Sequence, residues 1–161
     1  YYYISQEKKC ILGMGNFGIV ILSFKVSPNY DEYATKIISK PEIQKSKIYM
    51  ELLQDEMYVL NLIKHPKIVS IVDLLEDNEN YYIVSEVIKG GPVSKRIRKN
   101  GPLKENKSLH IIKQVIDAIH YLHSMDICHR DLKLENIMFD KVGGYDIKLI
   151  DFGFATKFSK D

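Results

Sequence analysis

The sequence predicts an α+β fold, strand-rich in its first half and helix-rich in its second. Three observations carry that reading. Runs of β-branched and aromatic residues flank a glycine-rich segment between Cys10 and Ile38. Gly90-Gly91-Pro92 then breaks the strand pattern. Beyond it, apolar residues recur at helical spacing over 104–124.

The elements follow in chain order. Residues 10–13 run apolar into glycines, Ile19 to Val26 reads as a strand, Pro28-Asn29 as a turn, and Tyr33 to Ile38 as a third strand of a small antiparallel sheet. Pro41 opens one helical stretch over 42–64. Leu53, Met57 and Leu60 form its apolar stripe, Ile63 widens it, and Pro66 ends it at or before His65. Two further strands, 68–75 and 81–88, are joined by a polar turn at 76–80. A short helix over Val93–Lys99 stops at Asn100-Gly101-Pro102. The long helix over 104–124 places Ile112, Ile116 and Ile119 on one side, with Val115 and Leu122 widening the buried face. Short strands near 137–139 and 147–150 turn at Gly143-Gly144.

Composition narrows the function classes. The 161 residues are 45% hydrophobic and 27% charged, an ordinary globular mixture, and the net charge of +2 gives no argument for nucleic-acid binding. No apolar run of membrane-spanning length occurs. Cys10 and Cys128 form no metal-ligand pair or disulfide framework, which favours an intracellular, reducing setting, cytoplasmic or nuclear. Cys128 reads as a small buried residue. Residues 92–107 hold six Lys or Arg and one acid, Glu105. A solvated helix surface explains that run, with a docking patch as the alternative.

Gly13-Met14-Gly15-Asn16-Phe17-Gly18-Ile19-Val20 fits a loop that lets backbone approach phosphates. A plain tight turn and a dinucleotide site are the alternatives. The latter needs a helix after the last glycine, whereas a strand pattern follows here. Lys36 alternates with Ile37, so Lys36 can face a cleft while Ile37 faces the core. A helix carboxylate could orient such an amine. Glu56 is the first candidate, Glu51 and Asp55 compete, and unrelated surface charges remain the plainer reading.

The strongest signal is His129-Arg130-Asp131-Leu132-Lys133-Leu134-Glu135-Asn136, followed fifteen residues later by Asp151-Phe152-Gly153. Phosphoryl transfer needs a group to orient the attacking hydroxyl and oxygen ligands for magnesium, and Asp131, Asn136 and Asp151 are three such donors. With these motifs in this order, the chain resembles a eukaryotic protein kinase from the glycine loop to Gly153.

The resemblance implies a bilobal fold that uses ATP and magnesium. Residues 1–89 would form the N-terminal lobe and 90–161 the start of a helical C-terminal lobe cut short after Gly153, so that residues 1–161 alone should be inactive. It assigns Asp131 as catalytic base, Asn136 and Asp151 as magnesium ligands, and Lys36–Glu56 as the pair that positions the phosphates beneath Gly13, Gly15 and Gly18. It also selects Glu56, which lies nine residues before His65-Pro66-Lys67-Ile68-Val69. Adenine would lie between Val20, Ala34 and Met138, its edge against the backbone near Glu86 and Ile88. Ser85 falls at the position behind the ring, where a serine leaves room for a bulky aromatic inhibitor group. His129 and Phe152 would pack with Leu60 and Ile71 across both lobes.

Lys133 and Glu135 resemble the serine/threonine class, and the motifs as a whole resemble the calcium/calmodulin-regulated and calcium-dependent groups. Protein substrates are the implied partners, with a calcium sensor or regulatory domain outside this chain. Arg130 would clasp a phosphorylated activation segment. Pro92 stands where many relatives carry a substrate-binding glutamate, which puts the usual arginine-directed preference in doubt. A catalytically silent kinase-like binding module and a small-molecule kinase are the competing readings. The intact Lys36, Asp131, Asn136 and Asp151 argue against the first, and Lys133 with the ordered motifs against the second.

Overall fold

Ten strands and four α-helices make up the described parts of the computed structural model, which are residues 2–4, 10–15, 18–26 and 31–158. Strands β1 (Tyr2–Ile4), β2 (Ile11–Gly15), β3 (Gly18–Lys25) and β4 (Glu32–Ser39) are followed by helices α1 (Lys40–Gln44) and α2 (Lys47–Leu62). Strands β5 (Ile71–Glu76) and β6 (Asn80–Glu86) close the first half. The second half holds α3 (Val93–Asn100), α4 (Glu105–Ser124), β7 (Ile127–Cys128), β8 (Ile137–Phe139), β9 (Ile147–Leu149) and β10 (Thr156–Lys157). The α+β class and the bilobal layout stand as the sequence implied. The turn expected at Pro28-Asn29 lies outside the described residues.

Six strands form one antiparallel sheet in the order β1-β3-β4-β6-β5, and β2 shares the β3 edge with β1. The Tyr2 hydroxyl donates to Asp73 on β5, so the sheet curls its two edges toward each other. Asp77 Oδ1 accepts from the amides of Glu79 and Asn80 at 2.8 and 2.7 Å, which fixes the turn between β5 and β6.

Gly18 has a steric reason to be glycine. A Cβ there would sit 1.9 Å from the Ile37 carbonyl oxygen, on the neighbouring strand, where no side chain can yield. At Gly13 a Cβ would meet nothing within 4 Å. Gly18→Ala is therefore expected to destabilise the fold by about 2 kcal/mol, whereas Gly13→Ala leaves stability unchanged. Denaturant unfolding checks both, and any nucleotide-binding defect of Gly13→Ala is then a binding effect.

Three expectations need correction. The helical stretch over 42–64 is two helices, because Ser46 adopts an extended backbone (φ −141°, ψ 126°) and restarts the helix. The break lets Ile43 bury fully on its own short helix. Ile37 is not the core residue of β4. Ile38, fully buried, shares the face of Lys36, because the core between sheet and α2 lies on that face. On α4 the buried face is Ile111, Gln114, Val115, Ala118 and Leu122, while Ile112 and Ile116 are 51% and 62% exposed. The helix is apolar around much of its girth, so periodicity could not choose the face. Buried Gln114 shows why packing chose as it did. Its amide donates to the carbonyls of His110 and Tyr145 and accepts from the Ile147 amide, each at 3.1 Å, tying α4 to β9.

One apolar core runs through both halves, from Ile38, Leu53 and Leu60 to Leu122, Phe139, Leu149 and Phe152. Backbone bonds stitch the halves together, with the Leu149 amide donating to Lys67 and its carbonyl accepting from Val69 at 2.8 and 2.9 Å. No helix among the described residues is long and apolar enough to cross a membrane.

Candidate active site

Lys36 lies in the middle of the sheet, opposite Val20 on β3 and Ile83 on β6. Its ammonium donates to both oxygens of Glu56, at 2.6 and 2.9 Å. The Glu56 side chain is 3% exposed and that of Lys36 11%. Burial pushes the Glu56 carboxyl up, and the attraction and hydrogen bond of Lys36 oppose it. Of the competitors, Glu51 pairs with Lys47 on the surface, and Asp55 accepts a hydrogen bond from Thr156. The glycine segment lies directly over the lysine, since a Cβ at Gly15 would touch Lys36 Cε at 3.4 Å. Asn16 and Phe17, between the glycines, lie outside the described residues.

The second cluster grows from β7. The chain leaves that strand through buried His129 and turns at Arg130, whose φ of 60° is left-handed. Such a backbone costs on the order of 1 kcal/mol or more for a non-glycine residue. Three bonds hold the turn. The His129 Nδ1 accepts from the Asp131 amide at 3.3 Å, its Nε2 faces the Ile150 carbonyl at 3.3 Å, and Arg130 Nε donates to the Phe154 carbonyl at 2.6 Å. Burial lowers the His129 pKa against the pull of that carbonyl, which suits a neutral ring with one accepting and one donating nitrogen. The ring packs 4.8 Å from that of fully buried Phe152, which belongs to the same apolar core as Leu60, with Ile71 packed against that core.

Asp131 emerges from this turn beside Lys133, whose ammonium donates to its carboxylate at 2.7 Å. Asn136 Nδ2 donates to the Asp131 carboxylate and carbonyl, both at 2.9 Å. Burial raises the Asp131 carboxyl, but the bonds from Lys133 and Asn136 outweigh it and hold the pKa below the ordinary aspartate value. The same bond raises the Lys133 ammonium. Asp151 is also left-handed, at φ 60°. The preceding Ile150 amide donates to the Asn136 carbonyl at 2.9 Å, which sets the two acidic loops side by side. The Asp151 charge is felt at both Glu56 and Lys133, so the two clusters converge.

The donor set suits magnesium. With its amide nitrogen engaged by Asp131, Asn136 turns its oxygen the other way, and that oxygen and the Asp151 carboxylate are hard donors. No group of three His, Cys, Asp or Glu among the described residues could hold a metal ion. Two protein ligands, with phosphate and water oxygens filling the other positions, are what magnesium usually takes.

The remaining expected residues are neither fully buried nor fully exposed. Val20, Ala34, Ile88 and Met138 are half-buried. Ser85 Oγ donates to the Ala34 carbonyl at 3.2 Å. Glu86 has an additional side-chain task. It accepts from Lys148 at 2.7 Å and from the Ser70 amide at 2.8 Å, a link across the halves that motif spacing did not show. Pro92 starts α3 and bridges Met138. In the basic run, the Arg96 guanidinium lies 3.3 Å above the Phe139 ring centre, and Lys107 lies 4.4 Å above that of Tyr145. Cys128 is only half-buried.

Comparison with known proteins agrees with this geometry. The family described as "Protein kinase domain" matches residues 6–161. Calcium-dependent protein kinase 4 of Plasmodium berghei (strain Anka) is 41% identical over 150 residues, covering 92% of this chain and 28% of that protein. The enzyme of the same name from Plasmodium falciparum (isolate 3D7) gives the same identity and coverage. Probable serine/threonine-protein kinase fhkC of Dictyostelium discoideum is 37% identical over 145 residues, covering 90% of this chain and 24% of that protein. The chain thus spans roughly a quarter of the length of these relatives. It belongs to the protein kinase domain family.

Proposed function

We propose that the full-length protein transfers the γ-phosphoryl group of ATP to serine or threonine hydroxyls of protein substrates. One observation carries the reading: Asp131, Lys133 and Asn136 form a single hydrogen-bonded cluster, tied to the Asp151 loop through the Ile150–Asn136 backbone bond, and a buried Lys36–Glu56 pair stands in the sheet half. Residues 1–89 serve as the lobe that grips the nucleotide and residues from 90 onward as the lobe that carries the acidic loops.

Each residue has a role in this scheme. The magnesium-bound triphosphate supplies the reactive phosphorus. Gly13, Gly15 and Gly18 bring backbone close to its phosphates, and Lys36, oriented by Glu56, binds them. Val20, Ala34 and Met138 sandwich the adenine, Glu86 and Ile88 meet its edge through backbone, and Ser85 sits behind it. Asn136 and Asp151 hold the metal. Asp131 orients the substrate hydroxyl and takes its proton, and Lys133 balances charge at the transferring group. Regulation by a calcium sensor or regulatory domain outside residues 1–161 is part of the proposal, supported by similarity to kinases named as calcium-dependent.

The test is magnesium-dependent ATP binding and phosphate transfer to a serine-containing protein by the full-length protein. Both are expected, and both should be lost in Asp151→Ala. A parent protein that binds no magnesium nucleotide ends this reading.

A further inference from the structure

We propose that Asp55 and Thr156 are a pair of positioning residues that clamp helix α2 to the strand following Asp151-Phe152-Gly153. The inference rests on the phosphoryl-transfer reading for its effect on rate. Adjacent acids on α2 serve different partners. Glu56 turns toward the sheet and holds Lys36, while Asp55 accepts a hydrogen bond of 2.6 Å from the Thr156 hydroxyl, 101 residues away. Thr156 is well placed to transmit position. It lies on β10, opposite Cys128 on β7, and β7 leads directly into His129-Arg130-Asp131. The start of that segment is fixed as well, by the Arg130 bond to the Phe154 carbonyl and the Ala155 amide bond to the Phe152 carbonyl. A continuous set of bonded residues thus runs from the Asp131 loop through β7, β10, Thr156 and Asp55 to Glu56 and Lys36.

The clamp acts on placement more than on folding. Helix α2 is held in the core by Leu53, Val59 and Leu60, whatever Asp55 does. What the bond adds is a fixed rotation and height of α2 at its middle, where Glu56 is presented. Valine at position 156 keeps the shape and β-branching of threonine but has no proton to donate. Serine keeps the donor.

The experiment uses the full-length protein with Thr156→Val, Thr156→Ser, Asp55→Ala and the double variant Asp55→Ala/Thr156→Val. Steady-state kinetics are read alongside amide hydrogen exchange of residues 53–60. Thr156→Val is expected to lower kcat about fivefold to tenfold with the protein-substrate KM unchanged, and to speed exchange in α2. Thr156→Ser should restore both, and the double variant should be no worse than the poorer single one. Additive losses overturn the clamp, as does a valine variant equal to the parent in both rate and exchange. The exchange arm needs no phosphate transfer. A parent without transfer that still shows coupled exchange overturns the kinase reading while the mechanical link stands.

Discussion

Asp131→Asn in the full-length protein is expected to lower kcat by about 10³-fold while leaving magnesium-nucleotide affinity unchanged. Asparagine keeps an oxygen that can accept from Lys133 and Asn136, so the loop, held by His129 and Arg130, keeps its shape. What disappears is the negative charge and the ability to take a proton. Because the Asp131 carboxyl lies below its ordinary value of 3.8, it is ionised throughout the neutral range. Any inflection of kcat/KM between about pH 6 and pH 8 should therefore arise from another group. Replacing Lys133 by methionine removes the foremost bond that lowers this carboxyl, so its titration should move up, which carboxyl-selective NMR detects. A variant Asp131→Asn within about tenfold of the parent would remove this residue from the proton-accepting role.

The sequence is most legible where chemistry restricts residue type. Oxygen donors at 131, 136 and 151 with glycines at 13, 15 and 18 admit few alternatives, so their order along the chain was readable before any coordinates. The choice of Glu56 over Glu51 and Asp55 came from the family resemblance, through its offset from His65-Pro66, and not from helical periodicity. All three lie on one helix, and only the phase of α2 against the sheet decides which enters the core. Packing phase also explains the misread face of α4. Gln114 is polar, so a pattern built on apolar residues passes over it, yet it caps three backbone groups inside the core. The missed strands β7 and β10 are two residues each. Strands that short carry no periodicity, and their pairing depends on where the loops after Met125 and Gly153 bring the chain. The Asp55–Thr156 bond was hidden for the same reason.

Lys36→Met should show how strongly burial governs the site. Removing one partner of a buried ion pair usually costs about 3 to 5 kcal/mol, because the other charge is left uncompensated. Glu56 is the partner left behind, with its side chain 3% exposed. Its carboxyl already titrates above the ordinary 4.5, since burial outweighs the help of Lys36. Without the lysine it moves higher still. The folded state then binds this proton more tightly than the unfolded state does, so stability declines as pH rises from the unfolded value through the folded one. The deficit of Lys36→Met relative to the parent should accordingly be small near pH 5 and clearly larger near pH 7.5, as read by denaturant unfolding. Adding Glu56→Gln to Lys36→Met removes the charge that cannot be paired, and should recover most of the lost stability at pH 7.5 with no recovery of phosphate transfer. That split separates the two tasks of the pair: the fold tolerates a neutral occupant at both positions, whereas binding of the phosphates needs the ammonium. A deficit equal at both pH values would mean that Glu56 is solvated once Lys36 is gone, and that α2, not the carboxylate, adjusts to the loss.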